Sequence, residues 1–409
     1  MKILFINTGP WGTGSFTVIK GIAKEFLKLG HEIKILFPDA NLETVDKDEY
    51  YKNTELYHIW EFPIKNQFTN IPTFPLMITD PHPRNINPIT FKDLSDEQLA
   101  LYEDALTDEI SKLVESFKPD IIECHHIWYA SWVCHKMHLA YSVVAHHSDQ
   151  LGFRYYPKIQ PQAIEGATGA KAIFAISPLV KGEIMRLYHI DESKIFLTEN
   201  GYDKDIFKQT KIDKQKLFRD LNLTIPHNAR IVSFAGKLSR TKGIDVLLRA
   251  NKLLDTTMNI HIIVMGAGNL EQITNRMEPN SFSLANIHFI GHQTPEIVSN
   301  VHNISDVGVM PSRSEGFGIS CLEAMACGLP MAVSRSGAPE NFAVGKIIEK
   351  GSPEELAAAI MEILNLTENE YQTLSQEAVQ KAEKFSWDTI AKKHLAVYKN
   401  IIRIKQDCL

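Results

Sequence analysis

Short apolar segments alternate with helical patterns along this chain, and the alternation runs through both halves of it. Because strands that alternate with helices form parallel sheets covered on both faces, the sequence predicts the α/β class, with two doubly wound, Rossmann-like domains. The predicted strands are residues 2–7, 32–37, 120–126, 142–147, 172–177 and 194–200 in the first half, and 230–235, 261–266, 287–291, 306–310 and 331–334 in the second.

The length of the chain also favours two domains, because 409 residues are more than one hydrophobic core usually holds. A charged connector at residues 204–219 separates the halves, which predicts an N-terminal domain over 1–206 and a C-terminal domain over 207–385. Apolar positions in the last segment, 386–409, predict a helix that packs back on the N-terminal domain. Ligands of parallel sheets bind at the carboxyl ends of strands, so we expect the two domains to face each other across a binding cleft.

Composition and charge exclude several classes of function. A formal net charge of -6 argues against a general nucleic-acid-binding protein. No apolar stretch has the length of a membrane span, and the N-terminal apolar segment is too short for a signal peptide, which predicts a cytoplasmic protein. The five cysteines are scattered without metal-ligand spacing, so we expect reduced thiols and no bound metal ion.

Two glutamates flank a turn with two glycines between a predicted strand and a predicted helix. Glu315 lies on the loop, where it is expected to be free to reach a ligand, and Glu323 lies one turn into a helix predicted over residues 320–328. A carboxylate on the helix can accept two hydrogen bonds from a vicinal diol such as a ribose, and the free N–H groups of the helix start favour an anion. This layout is typical of a nucleotide-sugar site. The alternative is a solvated loop residue and a first-turn carboxylate that complements the helix dipole.

Three cations precede the helix that follows the predicted strand 230–235. Lys237, Arg240 and Lys242 lie at the N-terminus of this helix, where the dipole disfavours positive charge. A bound diphosphate would remove the conflict, because the lysines supply charge and the backbone amides supply directed donors. The alternative is three solvated surface cations.

The first predicted strand ends in a loop with three glycines, Gly9, Gly12 and Gly14, before a helix. Such glycines let the backbone approach a ligand closely. The spacing lacks the third glycine of a dinucleotide fingerprint, and Ser15 replaces the lysine of a Walker loop. A tight structural turn and a binding loop therefore both remain as interpretations.

Histidines close two of the predicted strands in the first half. His125, His126, His146 and His147 are expected at the binding edge of the sheet, where an imidazole can donate to a sugar hydroxyl or a phosphate oxygen. No supporting carboxylate or cysteine spacing accompanies them, so no metal site is predicted. Ordinary hydrogen-bonded histidines at strand ends are the alternative.

Taken together, these residues resemble the motifs of the retaining family 4 glycosyltransferases of the GT-B fold. Glu315 and Glu323 match the E-x7-E element, and residues 236–238 with 242–243 match the phosphate element, in which Lys237 stands where the family has arginine. The resemblance covers nearly the whole chain and is stronger in the second half. It implies transfer of a hexose-type sugar from a nucleotide diphosphate sugar, a UDP-sugar by family frequency, with retained anomeric configuration.

The resemblance also implies the partners of the protein. The donor is the nucleotide sugar, no metal ion or other cofactor is required, and the acceptor is a small molecule, a glycan or a lipid-linked compound. No nucleic acid is expected, and a lipid-linked acceptor would imply only weak membrane association, since the sequence has no strong basic amphipathic helix.

Residue roles carry over from the family by position. Glu315 would hold the hydroxyls of the donor sugar, and Lys237 and Lys242 would neutralise the leaving diphosphate. His147, with His146 as a close rival, would lie beside the sugar. The other predicted donor contacts are Glu323 at the ribose, the backbone of Gly316, Phe317, Gly318 and Ile319, the N-terminal Gly14, and the loop at His292 beside the base.

Two other functions fit parts of the sequence. A nicotinamide-dependent oxidoreductase would use the N-terminal glycines, with Asp39 near the end of the second strand as a ribose ligand, although the glycine spacing is broken. A non-catalytic nucleotide-sugar-binding protein of the same fold would need the glutamates and lysines only in part.

Overall fold

The computed structural model of the protein describes residues 1–40, 53–78, 89–254 and 256–407. The chain divides into two compact units. The first unit consists of Met1–Asn200 and Asp388–Leu409, and the second unit of Gly201–Trp387. Each unit contains one parallel sheet with helices between its strands, so the α/β class predicted from the alternating pattern is confirmed.

The first unit is built on a seven-stranded parallel sheet with the order β3-β2-β1-β6-β7-β8-β9. Four consecutive residues of β1, from Ile3 to Ile6, are at most 1% exposed, as expected of a strand that is covered on both faces. A separate antiparallel pair joins β4 to β5. The strands are β1 Lys2–Asn7, β2 Glu32–Ala40, β3 Tyr57–Phe62, β4 Ile64–Lys65, β5 Asn70–Ile71, β6 Ile121–His125, β7 Tyr141–Ala145, β8 Ala172–Ala175 and β9 Ile195–Leu197.

Helices connect the strands of this sheet. The capping box predicted at Ser95 is present, because its hydroxyl accepts from the amide of Gln98 at 3.3 Å and the side chain of Gln98 accepts from the amide of Ser95 at 2.9 Å. The helices are α1 Gly14–Lys28, α2 Asp96–Phe117, α3 Tyr129–Lys136, α4 Ser148–Tyr155, α5 Gln160–Gly169 and α6 Pro178–Tyr188.

The second unit is built on a six-stranded parallel sheet with the order β12-β11-β10-β13-β14-β15. Neighbouring residues of the central β10, Ile231 and Val232, belong to two different buried clusters, one on each face of the sheet. Successive side chains of a strand point to opposite faces, so both faces of this sheet carry a hydrophobic core. The strands are β10 Arg230–Ala235, β11 Ile260–Met265, β12 Ile287–Phe289, β13 Val307–Met310, β14 Met331–Ser334 and β15 Gly345–Ile348.

The helices of the second unit follow its strands. The helix after β13 ends as predicted, because Gly328 adopts φ +77°, the left-handed conformation that closes a helix. The helices are α7 Lys214–Asp220, α8 Ile244–Asn251, α9 Leu270–Thr274, α10 Pro295–Asn303, α11 Ile319–Ala326, α12 Pro353–Leu364 and α13 Glu368–Ala382.

The last helix, α14 Trp387–Asp407, joins the core of the first unit from residue 388 onward. His394 stacks on Phe174 of β8 with ring centroids 4.0 Å apart, and Tyr398 lies edge-on to Phe26 of α1 at 5.9 Å. Ile390 and Tyr398 are fully buried. The apolar positions of this segment therefore form one buried face.

Two edge strands were not predicted from the sequence. β3 mixes buried and partly exposed residues, and β15 consists of four residues of which only Ile348 is buried. Strands at the edge of a sheet keep polar side chains, so neither segment gives a continuous apolar pattern. Several predicted strands are also shorter than expected; the segment predicted over 194–200 forms a strand only over Ile195–Leu197.

Candidate functional site

The loops after five strands of the second sheet are tied to one another by backbone hydrogen bonds. In order across the sheet, the amide of Gly266 donates to Gly291 at 2.7 Å and the amide of Leu238 to Ala267 at 2.8 Å. The amide of Arg313 donates to Thr241 at 2.7 Å, and the amide of Glu315 to Ser336 at 3.0 Å. The carboxyl edge of this sheet is therefore one connected surface, which is where ligands of parallel sheets bind.

Glu315 is buried and paired with a lysine on this surface. Lys242, which ends the loop after β10, places Nζ 2.8 Å from both carboxylate oxygens of Glu315, and the hydroxyl of Ser312 donates to Oε1 at 2.7 Å. Glu315 is only 6% exposed. The expectation that this carboxylate projects freely from its loop is therefore wrong, because β10 and β13 are neighbours in the sheet and bring the cation to it.

A second ion pair, which the sequence analysis did not single out, fixes the same two loops. Arg313 binds Asp245 of α8 through two parallel bonds of 2.7 and 2.8 Å. Planar, bidentate pairs of this kind hold geometry as well as charge. Gly243 completes the contact, since it adopts φ +72° and a Cβ there would lie 1.9 Å from the carbonyl oxygen of Pro311. Only glycine fits at this close approach.

The turn between Glu315 and α11 presents backbone donors. Gly318 is the N-cap of α11 at φ +96°, and Phe317 anchors the turn by stacking on Phe342 at 4.9 Å. Within the described ranges, no protein acceptor bonds to the backbone amides of residues 316–320, a range that includes the predicted donor contacts Gly316 and Ile319. Such a group of unpaired amides at a helix start is suited to bind an anion.

Glu323 lies in the second turn of α11 with a carboxyl group that has no protein partner. The side chain is half-buried, and no side chain in the described part of the chain hydrogen-bonds to it. Burial, and next the negative charge of Asp203, raise the pKa of Glu323 to about 8. Hydroxyl groups that donate to the ionised form would relieve this penalty, so the carboxylate is suited to a diol ligand.

The remaining predicted residues of the second unit lie on the connected loops. Lys237 is half-buried in the loop after β10, beside Gly236, whose carbonyl oxygen packs against the backbone of Gly266. Arg240 and His292 are exposed, and His292 follows Gly291 in the loop after β12. The sequence-predicted residues of this half are thus all on the carboxyl edge of one sheet.

Of the three glycines in the loop after β1, Gly12 is the one in a left-handed conformation. Thr13 adopts an extended conformation and caps α1 by accepting from the amide of Phe16, while Gly12 takes the left-handed conformation at φ +81°. Gly14 is exposed at the first position of α1.

Asp39, the ribose ligand of the oxidoreductase hypothesis, is fully buried, which leaves no accessible carboxylate oxygen.

His147 is held by a carboxylate that the sequence analysis did not single out. It adopts φ +73° before α4, and its Nδ1 lies 3.0 Å from Oε2 of Glu183, whose other oxygen accepts from Arg154. Burial alone would raise the pKa of Glu183, but the bonds from His147 and Arg154 hold it below its usual value. Glu183 lies on α6 in an ordinary helical pattern, so the sequence gives no signal for this role.

The other three histidines form a cluster at the ends of β6 and β7. His125 and His126 are buried, so the expectation that they reach a ligand at the sheet edge is wrong: the first is inside the core and the second is only 3% exposed. His146 is half-buried, and its Nε2 lies 2.8 Å from Nδ1 of His125. Among these three rings, His146 is the one with appreciable exposure.

Membrane-spanning helices are absent from the described residues. None of the helices there combines the length and the apolar character needed to cross a bilayer.

Two family models match the chain, one in each half. The model "Glycosyltransferase Family 4" matches residues 12–206, and the model "Glycosyl transferases group 1" matches residues 215–381. Together they account for most of the chain.

Curated relatives are similar over part of their length. An uncharacterized glycosyltransferase of Methanocaldococcus jannaschii is 25% identical over 56% of this chain and 59% of its own. The D-inositol 3-phosphate glycosyltransferase of Corynebacterium jeikeium is 29% identical over 44% of this chain and 45% of its own. The matches thus span about half the length of these relatives.

Solved structures match over nearly the whole chain. Anabaena Alr3699/HepE in complex with UDP and glucose superimposes with a TM-score of 0.73 at 17% identity, covering 98% of this chain and 100% of that one. Sucrose-phosphate synthase from Thermosynechococcus elongatus gives a TM-score of 0.71 at 17% identity, covering 99% and 100%. This likeness shows the GT-B fold, and the two family models, which together cover most of the chain, establish that it belongs to the family 4 glycosyltransferases.

Proposed function

We propose that this protein transfers a hexose from a nucleotide diphosphate sugar, a UDP-sugar, to an acceptor hydroxyl, with retention of configuration and without a metal ion. The observation that carries the proposal is the carboxyl edge of the second sheet. There an unpartnered carboxyl group, Glu323, and the unpaired amides of residues 316–320 flank the buried pair of Lys242 and Glu315. These groups suit a ribose, a diphosphate and a sugar in that order along one ligand.

Departure of the nucleotide diphosphate is the step that needs most stabilisation, because negative charge grows on it in the transition state. Lys237 and Lys242 supply positive charge, and the amides of the turn before α11 supply directed donors. Lys242 is already oriented by Glu315, so its ammonium group needs no reorganisation when the donor binds. The HepE structures contain UDP, glucose and UDP-glucose, which supports a uridine nucleotide as the first donor to test.

Retention without a covalent intermediate is supported by the surroundings of Glu315. Its oxygens accept from Lys242 and Ser312, and a carboxylate engaged in this way is a poor nucleophile toward an anomeric carbon. We therefore propose attack of the acceptor hydroxyl on the same face from which the diphosphate leaves. His147, oriented by Glu183, would contact the donor sugar.

The proposal is tested first by binding. Calorimetry with UDP, GDP and ADP should show binding of UDP, and Glu323→Ala should weaken that binding by about 10- to 100-fold, the loss expected for hydrogen bonds to a charged group. Lys28→Ala is the matched control, because Lys28 forms an ion pair of 2.8 Å with Glu25 at the far end of α1. Equal affinity of Glu323→Ala and the unmodified protein would refute the ribose role.

Turnover is tested with UDP-glucose, UDP-galactose, GDP-mannose and ADP-glucose, each with a panel of polyol, glycan and lipid-linked acceptors. We expect release of UDP, a product with the anomeric configuration of the donor by NMR, and no loss of rate with EDTA. Lys237→Ala and Lys242→Ala should each lower kcat/KM by about 100-fold or more, since they act on the leaving group. Binding without release of any nucleoside diphosphate would favour the non-catalytic alternative, and an inverted product would refute the mechanism.

A further inference from the structure

A buried chain of hydrogen bonds crosses the first unit from the last helix to the ends of the strands. Its centre is Glu123, in the middle of β6 and fully buried. Oε2 of Glu123 accepts from the hydroxyl of Tyr398 and lies 3.1 Å from Nδ1 of His394, both on α14. Oε1 lies 3.2 Å from Nε2 of His125, whose Nδ1 is 2.8 Å from Nε2 of His146.

The carboxylate at the centre of this chain decides which nitrogens of His125 and His146 carry protons. Burial alone would raise the pKa of Glu123, but His394 and His125 hold it at about 2, so the carboxylate is ionised and can only accept. Burial lowers the pKa of His125, so its ring is neutral, donates to the carboxylate through Nε2 and keeps Nδ1 as an acceptor. The proton in the next bond then belongs to Nε2 of His146. It follows that Nδ1 of His146 carries a lone pair.

That lone pair lies in a region with unsatisfied polar atoms. In the described part of the chain, no protein group bonds to Nδ1 of His146. The neighbouring ring of His126, 4.8 Å away between centroids, is buried and its Nδ1 also has no partner. The backbone here is fixed, because Asp149 accepts from the amides of His146 and Ile127 at 3.0 and 2.9 Å. Of these two unpartnered nitrogens only Nδ1 of His146 belongs to a partly exposed ring, so it is the one suited to a polar ligand.

We infer that Nδ1 of His146 accepts a hydrogen bond from a substrate hydroxyl, and that Glu123 and His125 are positioning residues that fix its tautomer. That this hydroxyl belongs to a glycosyltransferase substrate rests on the proposed function. The tautomer determines specificity: a lone pair at Nδ1 requires a donor such as a hydroxyl and excludes a phosphate or carbonyl oxygen, whereas an N–H there would bind any of these oxygens. Buried partners that fix an imidazole in this way typically change activity by about 10- to 100-fold when removed from metal sites, and we expect an effect of that order here.

The second unit contains a pair of histidines that serves as an internal reference. Nδ1 of His261 lies 2.9 Å from Nε2 of His288, with rings 5.2 Å apart, against 2.8 Å and 5.0 Å for His125 and His146. Nε2 of His261 lies 3.3 Å from the amide oxygen of Asn259, whereas Nε2 of His125 faces the carboxylate of Glu123. The two pairs therefore share their geometry and differ in the carboxylate.

The experiment is ¹⁵N NMR of the full chain labelled in its imidazole rings, with signals assigned by single histidine-to-asparagine variants. In the unmodified protein we expect His146 in the Nε2–H form. In Glu123→Gln the amide can donate to His125 as well as accept, so His146 should become a mixture of tautomers, while the signals of His261 and His288 stay unchanged. An Nδ1–H form of His146 in the unmodified protein would overturn the inference even if the variant fails to fold. An unchanged tautomer in a folded Glu123→Gln protein would overturn it too.

Kinetics test the consequence for the reaction. Glu123→Gln should lower kcat by about 10-fold with little change in the KM for the donor, because the carboxylate acts through the orientation of His146. His288→Asn, which removes the reference pair, should leave both constants unchanged. Equal losses in the two variants would show that the effect is general destabilisation and would overturn the positioning role. The tautomer measurement needs no substrate, so a failure of the proposed function, seen as no turnover by the unmodified protein, is distinguishable from a failure of this inference.

Discussion

Replacing Glu323 with glutamine should make the protein more stable at alkaline pH. The side chain is half-buried in α11 without a protein partner, and burial together with Asp203 raises its pKa from 4.5 to about 8. The folded protein therefore holds this proton more tightly than the unfolded chain does. Stability falls as pH rises from the unfolded pKa to the folded one, and the loss is complete above about pH 8. Glutamine resembles the protonated carboxyl group and does not ionise, so the variant avoids the loss.

The size of the effect follows from the difference between the two pKa values. A rise from 4.5 to about 8 corresponds to about 5 kcal/mol at about 1.4 kcal/mol per pH unit. Because Glu323 is half-buried, solvent screens part of this penalty, and we expect about 2 kcal/mol in the free energy of unfolding. For a unit of this size that corresponds to roughly 4–8 °C in Tm.

The assay is thermal and urea unfolding of both proteins at about pH 4.5 and about pH 8.5. The free energy of unfolding of Glu323→Gln relative to the unmodified protein should be higher at the alkaline pH than at the acidic pH by about 2 kcal/mol. Glu377→Gln is the control, because Glu377 is an exposed helical glutamate in the same unit and its replacement should give no such trend. A Glu323→Gln difference that is the same at both pH values would refute the account of an uncompensated carboxyl group.

The same group makes a prediction about ligand binding. A diol that donates to Glu323 favours the ionised form, so UDP binding below about pH 8 should release a proton. Calorimetry in buffers of different ionisation enthalpy measures this release directly. Glu323→Gln should abolish it, and a proton release that persists in the variant would assign it to another group.

The remaining predictions concern the loops that tie the second unit together. Lys242→Met should destabilise the protein by about 2 kcal/mol, because it leaves the carboxylate of Glu315 buried with only one hydroxyl donor, and the double change with Glu315→Gln should recover most of the loss in urea unfolding. Gly243→Ala should lower the free energy of unfolding by at least about 2 kcal/mol, because its Cβ would lie 1.9 Å from the carbonyl oxygen of Pro311. Gly182→Ala, in the helix α6 where nothing lies within 4 Å of the added Cβ, should instead stabilise by about 0.5–1 kcal/mol, and similar effects of the two glycine changes would contradict this explanation.

The parts of the fold that were predicted from the sequence are those with local signals. The central strands are apolar along their whole length because both faces of each sheet are covered, and the capping box at Ser95 and the left-handed Gly328 mark helix ends by their own chemistry. The edge strands β3 and β15 have no such signal, since most residues of each strand are at least partly exposed.

The site shows the same division between local and long-range information. The positions of Glu323, Lys237 and the glycine turn follow from motif spacing, and the structure places them on one sheet edge. The pairing of Glu315 with Lys242 could not be predicted, because 73 residues separate them and several other cations lie nearby in sequence. Only the adjacency of β10 and β13 selects the partner.

Glu123 is the clearest case of a signal that was present but was not used. A charged residue stands in the middle of an apolar strand, which indicates a buried partner. The partners lie 271 and 275 residues further along the chain, on a helix whose own pattern indicates only an apolar face. Nothing in the local sequence connects them.

The make-up of the first unit has a consequence for biosynthesis. Its core contains residues 1–200 and residues from 388 onward, so the second unit is an insertion within it. As the nascent chain leaves the ribosome, the strand that carries Glu123 emerges long before His394 and Tyr398, and its carboxylate lacks these two donors until α14 has been translated. The second unit can therefore fold before the core of the first unit is complete.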